Sequence, residues 1–137
     1  MNDPVRIGLP ISLEDLEDVA LRGRKVAWGD GARAKVEASR KAIDAIANAG
    51  DDAPRVYGVN TGFGALSETR IGANDVRELQ RNLIRSHATG VGPELSVGEV
   101  RGMMLLRAQV LALGHSGVRA VLVDTLMSML NAGVHPR

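Results

Sequence analysis

Between Val56 and Gly64 the chain reads VYGVNTGFG, nine residues that hold its only tyrosine, its only phenylalanine and three glycines. A phenol gives or takes a proton, and glycines let a backbone fold closely over whatever the phenol faces. Two other readings compete. As a phosphate cradle the order G-x-x-x-G-x-G lacks the G-x-G-x-x-G spacing and the following GK[ST] that anion-binding loops use. As a tight surface loop with Tyr57 for a packing anchor, the segment needs no chemistry at all. Further on, His87 follows Val76, Leu79 and Leu83 at helical spacing, which puts it on the inward stripe of one helix. A histidine on such a face is either a satisfied structural residue or a ligand contact. Ser86 beside it is not expected to form a nucleophilic dyad, because neighbouring helical residues point about 100° apart. The same argument covers His115 with Ser116. The three histidines lack metal-ligand spacing, and with no cysteine there is no thiol nucleophile, disulfide or thiolate metal site.

These residues need elements to hold them. Val5 to Leu9 and Lys25 to Trp28 read as short strands. Ser12 caps a helix from Leu13 to Ala20, with Asp15 completing a capping-box pattern. Asp30 precedes a helix near Gly31 to Ala49, which Gly50 stops. DDAP, starting at Asp51, is a turn, and Asn74 is an N-cap for the helix that carries His87 to its end by Gly90. Ser96 with Glu99 forms a second capping box, for a helix running to Leu113. Ser116 is expected to cap the last helix, Gly117 to Asn131, closed by Gly133. Asn60 and Thr61 are expected to shape the tyrosine loop through local side-chain bonds, with contact to substrate as the alternative. Arg107 and Arg119, set among apolar residues, are expected to pair with buried acids or helix carboxyl ends.

Composition narrows the class. A chain of 137 residues is enough for one domain, and a net charge of +1 gives no field that would attract nucleic acid or an anionic membrane. Aromatic residues are 2% against 45% hydrophobic, so the core is aliphatic, in residues that favour helices. From Met103 to Leu130, 18 of 28 residues are apolar, interrupted by GHSG near the middle. That run is too broken to span a bilayer and too apolar all round for a helix in water, so these helices are expected to be buried inside something larger. The absence of cysteine fits a reducing cytoplasm. The first ten residues lack the pattern of a signal peptide.

YGVNTGFG followed by LQRNLIRSHATGVG, then GHSGVR and NAGVHP in the same order, resembles the N-terminal region of the aromatic amino acid ammonia-lyase family. That family includes histidine, tyrosine and phenylalanine lyases and related aminomutases, and the resemblance covers nearly the whole chain. It implies a mainly α fold: the helical N-terminal portion of a large helical-bundle lyase, with short strands near the N-terminus. Residues 1–137 would form a single segment of a cytoplasmic homotetramer. The resemblance also implies removal of ammonia from a small amino acid through methylidene-imidazolone (MIO), an electrophile made from an Ala-Ser-Gly triplet of the protein itself. A base alone does not suffice, because the proton beside the aromatic ring is hardly acidic. By resemblance, Tyr57 occupies the position of the catalytic tyrosine that serves as general base or acid. A free phenol titrates near ~10, so nearby charge or dipoles must tune it. Gly64 resembles a glycine whose backbone lines the substrate pocket, and Phe63 anchors the loop. Ser86-His87 resembles the histidine lyases, where the histidine contacts the substrate imidazole. Phe-Leu marks phenylalanine lyases and His-Leu tyrosine lyases, while some tyrosine aminomutases also carry Ser-His.

No Ala-Ser-Gly occurs in the 137 residues; the nearest strings are ASR at Ala38 and HSG at His115. In the family the triplet lies shortly after the segment matching NAGVHPR. The expectation is therefore the N-terminal part of an MIO-dependent lyase that converts L-histidine to urocanate and ammonia, working with the remainder of its polypeptide. A tyrosine ammonia-lyase or aminomutase is the alternative within that chemistry. A non-catalytic helical interaction module is the alternative outside it.

Overall fold

The computed structural model describes residues 3–50, 53–72 and 75–136. Asn74, expected as a cap, and the Asp51-Asp52 half of the expected turn lie outside the described residues. The chain divides into two compact units, one from residues 1–40 with 93–137 and the other from 41–92.

In the first unit, strand β1 (Val5–Ile7) pairs in parallel with β2 (Val26–Trp28), Val5 opposite Val26 and Ile7 opposite Trp28. Helix α1 (Leu13–Arg22) makes the crossover that a parallel pair requires. Its capping box is complete: Asp15 N–H donates to Ser12 Oγ at 3.1 Å and Ser12 N–H donates to Asp15 Oδ2 at 3.0 Å. After β2, α2 (Ala32–Ala47) begins in this unit and buries Ala32 and Val36. Two later helices complete it, α4 (Val97–Ala112) packing on α1 and β1, and α5 (Ala120–Ala132) packing on α4 and β2. The core is aliphatic, as composition implies: Ile7, Val19, Leu105, Ala108, Ala112 and Val123 are all fully buried. Each such Val, Leu or Ile contributes roughly 1.5–3 kcal/mol by leaving water.

Polar side chains lock the layers together. Asn131 of α5 accepts from Val26 N–H at 2.8 Å and donates to Val26 C=O at 2.9 Å, so its amide continues the ladder beyond β2. Gln109 of α4 does the same after β1, accepting from Gly8 N–H and donating to Leu9 C=O, both at 2.8 Å. Asp124 accepts from Trp28 Nε1 at 2.8 Å and from Arg33 Nη1 at 2.9 Å.

Two expectations need correction here. The last helix starts at Ala120, with Arg119 at its N-cap and no side-chain bond there. Ser116 does not cap it because the preceding segment is tied elsewhere: Gly117 N–H donates to Ser39 Oγ at 3.1 Å and Gly117 C=O accepts from Arg40 at 3.3 Å. Arg107 and Arg119 are exposed. The buried guanidinium is Arg101, 6% exposed, which donates to the Val19 and Leu130 carbonyls near the ends of α1 and α5. The apolar helices bury their inner faces and leave their outer faces open: Met103 is 60% exposed, Val110 51% and Val121 54%. Among the described residues no helix is long and apolar enough to cross a membrane.

The second unit holds the end of α2, the tyrosine loop with a single 3-10 turn at Gly64–Leu66, and α3 (Val76–His87). Asp75 flanks the start of α3 without a side-chain bond to it. Val76, Leu79 and Leu83 are half-buried on one face while Arg77, Glu78, Gln80 and Arg81 are exposed, so the helical period holds. His87 ends that stripe but is exposed, not inward. It is the last residue of the helix, where no following turn covers it.

Candidate active site

The tyrosine loop is built from the inside by Asn60 and Thr61, 5% and 1% exposed. Val56 C=O accepts from Val59 N–H at 3.0 Å and from Asn60 N–H at 3.2 Å, which makes a tight turn with Tyr57 and Gly58 at its corner. Gly58 takes φ +73°, a left-handed conformation that glycine adopts without penalty from a Cβ. The Asn60 side chain reaches back across the turn. Its Oδ1 accepts from Val56 N–H at 2.7 Å and its Nδ2 donates to Pro54 C=O at 3.0 Å. Thr61 Oγ1 donates to Gly62 C=O at 3.0 Å. The expectation that these two residues shape the loop through local bonds thus describes their contacts.

The far limb closes the loop. Gly62 N–H donates to Thr69 C=O at 2.9 Å and Ile71 N–H to Asn60 C=O at 3.0 Å, around an antiparallel bridge of Thr61 with Arg70. Arg70 then clasps the base, donating to Ala53 C=O at 2.6 Å and Gly50 C=O at 2.9 Å. Tyr57 projects from this frame. The residue is 63% exposed, and its ring makes a T-shaped pair with Phe63, centroids 6.0 Å apart at 77°. That geometry matches the favourable electrostatics of T-shaped pairs and gives Phe63 its anchoring role. Among the described residues the Tyr57 hydroxyl makes no hydrogen bond. Gly64, exposed at φ +56°, begins the 3-10 turn just beyond Phe63.

At the end of α3, Ser86 and His87 come closer than their positions on a helix suggest. Ser86 Oγ lies 3.0 Å from His87 Nδ1 because both side chains fold back on the Leu83 carbonyl, Ser86 Oγ at 3.0 Å and Nδ1 at 2.9 Å. The expected divergence of neighbouring residues therefore fails in the last turn. A nucleophilic dyad still does not result. A carbonyl only accepts, so the short Nδ1 contact requires the proton on Nδ1, and a protonated Nδ1 cannot take the serine proton. In the neutral ring Nε2 is left as an acceptor on an exposed residue. Among the described residues no hydrogen bond or ring contact joins Tyr57 to His87. The loop and the helix each present one polar group to their surroundings.

A sequence model of the aromatic amino acid lyase family matches residues 11–137. The histidine ammonia-lyase of Sorangium cellulosum is 63% identical over 131 residues, which are 96% of this chain and 26% of the relative. Among solved structures, tyrosine aminomutase from Streptomyces globisporus aligns with a TM-score of 0.89 at 34% identity, covering 98% of this chain and 25% of that one. Histidine ammonia-lyase from Trypanosoma cruzi aligns at 0.78 and 37% identity, covering 93% and 24%. The chain thus spans about a quarter of the length of the relatives it matches.

Proposed function

The chain belongs to the aromatic amino acid lyase family, and from that premise we propose that it is the N-terminal portion of a lyase converting L-histidine to urocanate and ammonia. The observation that carries this reading is Tyr57, the chain's only phenol, held 63% exposed on a turn whose backbone is tied from beneath. A packing anchor would bury its ring; this one is presented. Tyr57 Oη is the group that exchanges a proton with the substrate carbon. His87 Nε2, the free acceptor of its ring, receives the substrate's imidazole N–H, and the Gly64 backbone lines the same pocket.

These residues do not themselves make the methylidene-imidazolone. Ala38-Ser39-Arg40 lies inside α2, with Ser39 Oγ engaged by Gly117 N–H, and His115-Ser116-Gly117 has no alanine. The group belongs to the remainder of the polypeptide, and when formed it supplies the electrophile that makes the substrate proton acidic. By the same resemblance the whole assembles as a homotetramer in the cytoplasm.

The test uses the complete polypeptide that carries these residues, with urocanate formation as the readout. Tyr57→Phe lowers kcat by about 10²–10⁴, the range of a lost general acid or base. His87→Leu raises KM for histidine more than it lowers kcat. Full turnover in Tyr57→Phe would defeat the assignment. A second reading, tyrosine as the substrate, draws on the likeness to a tyrosine aminomutase and on the Ser-His pair. Product analysis with histidine and tyrosine side by side separates the two.

A further inference from the structure

We propose that Asn60 is the positioning residue for Tyr57, setting the direction of the phenol through the backbone that precedes it. This inference rests on the lyase reading of Tyr57 above. Three observations carry it. Asn60 is 5% exposed, so it touches no solvent-borne ligand and works only through its neighbours. Its two side-chain bonds go to Val56 N–H and Pro54 C=O, the peptide groups on either side of Arg55 and directly ahead of Tyr57. Its own main chain closes the turn on the other side, donating to Val56 C=O and accepting from Ile71 N–H.

The tyrosine therefore sits between segments that one residue holds at both ends. The T-shaped contact with Phe63 bears on the tilt of the ring but not on the path of the backbone. A proton transfer needs the reacting atoms within hydrogen-bond reach, and a misplacement of about 1 Å costs on the order of a hundredfold in rate. Asparagine is required by the chemistry of the contact, since it must accept from one backbone group and donate to another at the same time. Alanine offers neither bond. Aspartate keeps the shape and the acceptor but sets a carboxylate oxygen against the Pro54 carbonyl.

The experiment is a double-mutant cycle in the complete enzyme, crossing Asn60→Ala and Asn60→Asp with Tyr57→Phe. In the parent background both Asn60 variants lower kcat by about tenfold to a hundredfold while KM for histidine changes less than about threefold. In the Tyr57→Phe background neither lowers the residual kcat further, because the group they position is gone. Loss of the same factor in both backgrounds overturns the proposal, since a purely structural residue does that. Parent-like kcat in both Asn60 variants also overturns it, as does failure of both to give soluble, assembled enzyme, which assigns Asn60 to folding. Impaired Tyr57→Phe with unimpaired Asn60 variants sinks this inference alone, whereas full turnover in Tyr57→Phe sinks the lyase reading and this inference with it.

Discussion

Arg101 directs two N–H groups at the single carbonyl of Val19, Nε at 3.1 Å and Nη2 at 2.8 Å. A third, Nη1, donates to Leu130 C=O at 3.1 Å. Val19 lies in the last turn of α1 and Leu130 in the last turn of α5, where carbonyls run out of ordinary helical partners; Leu130 C=O also accepts from the capping Gly133 N–H at 3.2 Å. The buried positive charge thus faces the negative ends of two helix dipoles in place of a carboxylate. Arg101→Lys keeps the charge but cannot reach two carbonyls with a planar fork. The expected cost is about 2 kcal/mol, the scale of a lost charged hydrogen bond, and hydrogen exchange of the α1 and α5 amides in the complete polypeptide reads it as roughly thirtyfold faster opening. Unchanged exchange would show that the fork is dispensable.

Gly114 tests a close approach of backbones. It has φ +81°, and a Cβ there would lie 2.7 Å from Lys35 Cβ and 2.8 Å from the Lys35 carbonyl carbon in α2. Gly114→Ala therefore strains φ and pushes two rigid segments apart at once. A loss of about 3 kcal/mol or more is expected, seen as a lower Tm and reduced soluble yield. The neighbouring exposed variant Ser116→Ala, which removes no cap, is expected to be close to neutral, within about 0.5 kcal/mol. Equal behaviour of the two would refute the packing argument.

What could be read in the chain divides by range. Both capping boxes were legible because each is a bond across three residues, written in the serine and the acid that follows it. The same rule misplaced the last helix, because Ser116 lies in a segment whose direction is set by Ser39 and Arg40, far back in the chain. Arg101 was invisible for a similar reason. Its partners are carbonyls at Val19 and Leu130, and a carbonyl has no signature in sequence. Asn60 was legible as a local bonder, while its exact reach to Pro54 and Val56 depends on a turn that only coordinates show. His87 was assigned to the right face by period, but a helix's final residue escapes the burial that its stripe predicts.

The capping boxes also set a pH response. The Ser12 N–H bond, aided by the Ser12 hydroxyl and Arg24, holds the Asp15 carboxyl below its ordinary 3.8. Bonds from the Ser96 hydroxyl and N–H hold Glu99 below its ordinary 4.5. A carboxyl whose folded value is depressed adds stability above its unfolded value and loses it as pH falls through the folded one. The contribution is therefore complete at neutral pH and declines in acid, below 4.5 for Glu99 and below 3.8 for Asp15. Exchange of the first-turn amides of α1 and α4 is expected to quicken in that window beyond the intrinsic pH effect. Asp15→Asn, which removes the carboxyl that titrates, should largely remove the acid response at α1, whereas Ser12→Ala, which costs about 1 kcal/mol at neutral pH, keeps the backbone N–H bond and leaves much of that response. An acid response that persists unchanged in Asp15→Asn would assign it to another group.

The outer face of α4 gives the last expectation. Leu13, Leu21, Leu95, Met103 and Leu106 are between 46% and 80% exposed and line one open apolar trough between α1 and α4. Gly98 and Gly102, four residues apart on α4, keep its floor free of side chains. An apolar surface of this kind is costly in water and favours burial against another apolar face. If the remaining three quarters of the polypeptide cover it, Leu106→Lys has opposite effects in two settings. In the complete enzyme it buries a charge without a partner and lowers Tm sharply. In residues 1–137 expressed alone it breaks the patch and reduces self-association, measured by light scattering. A Leu106→Lys enzyme as stable as its parent would mean that the trough faces solvent in the assembled protein.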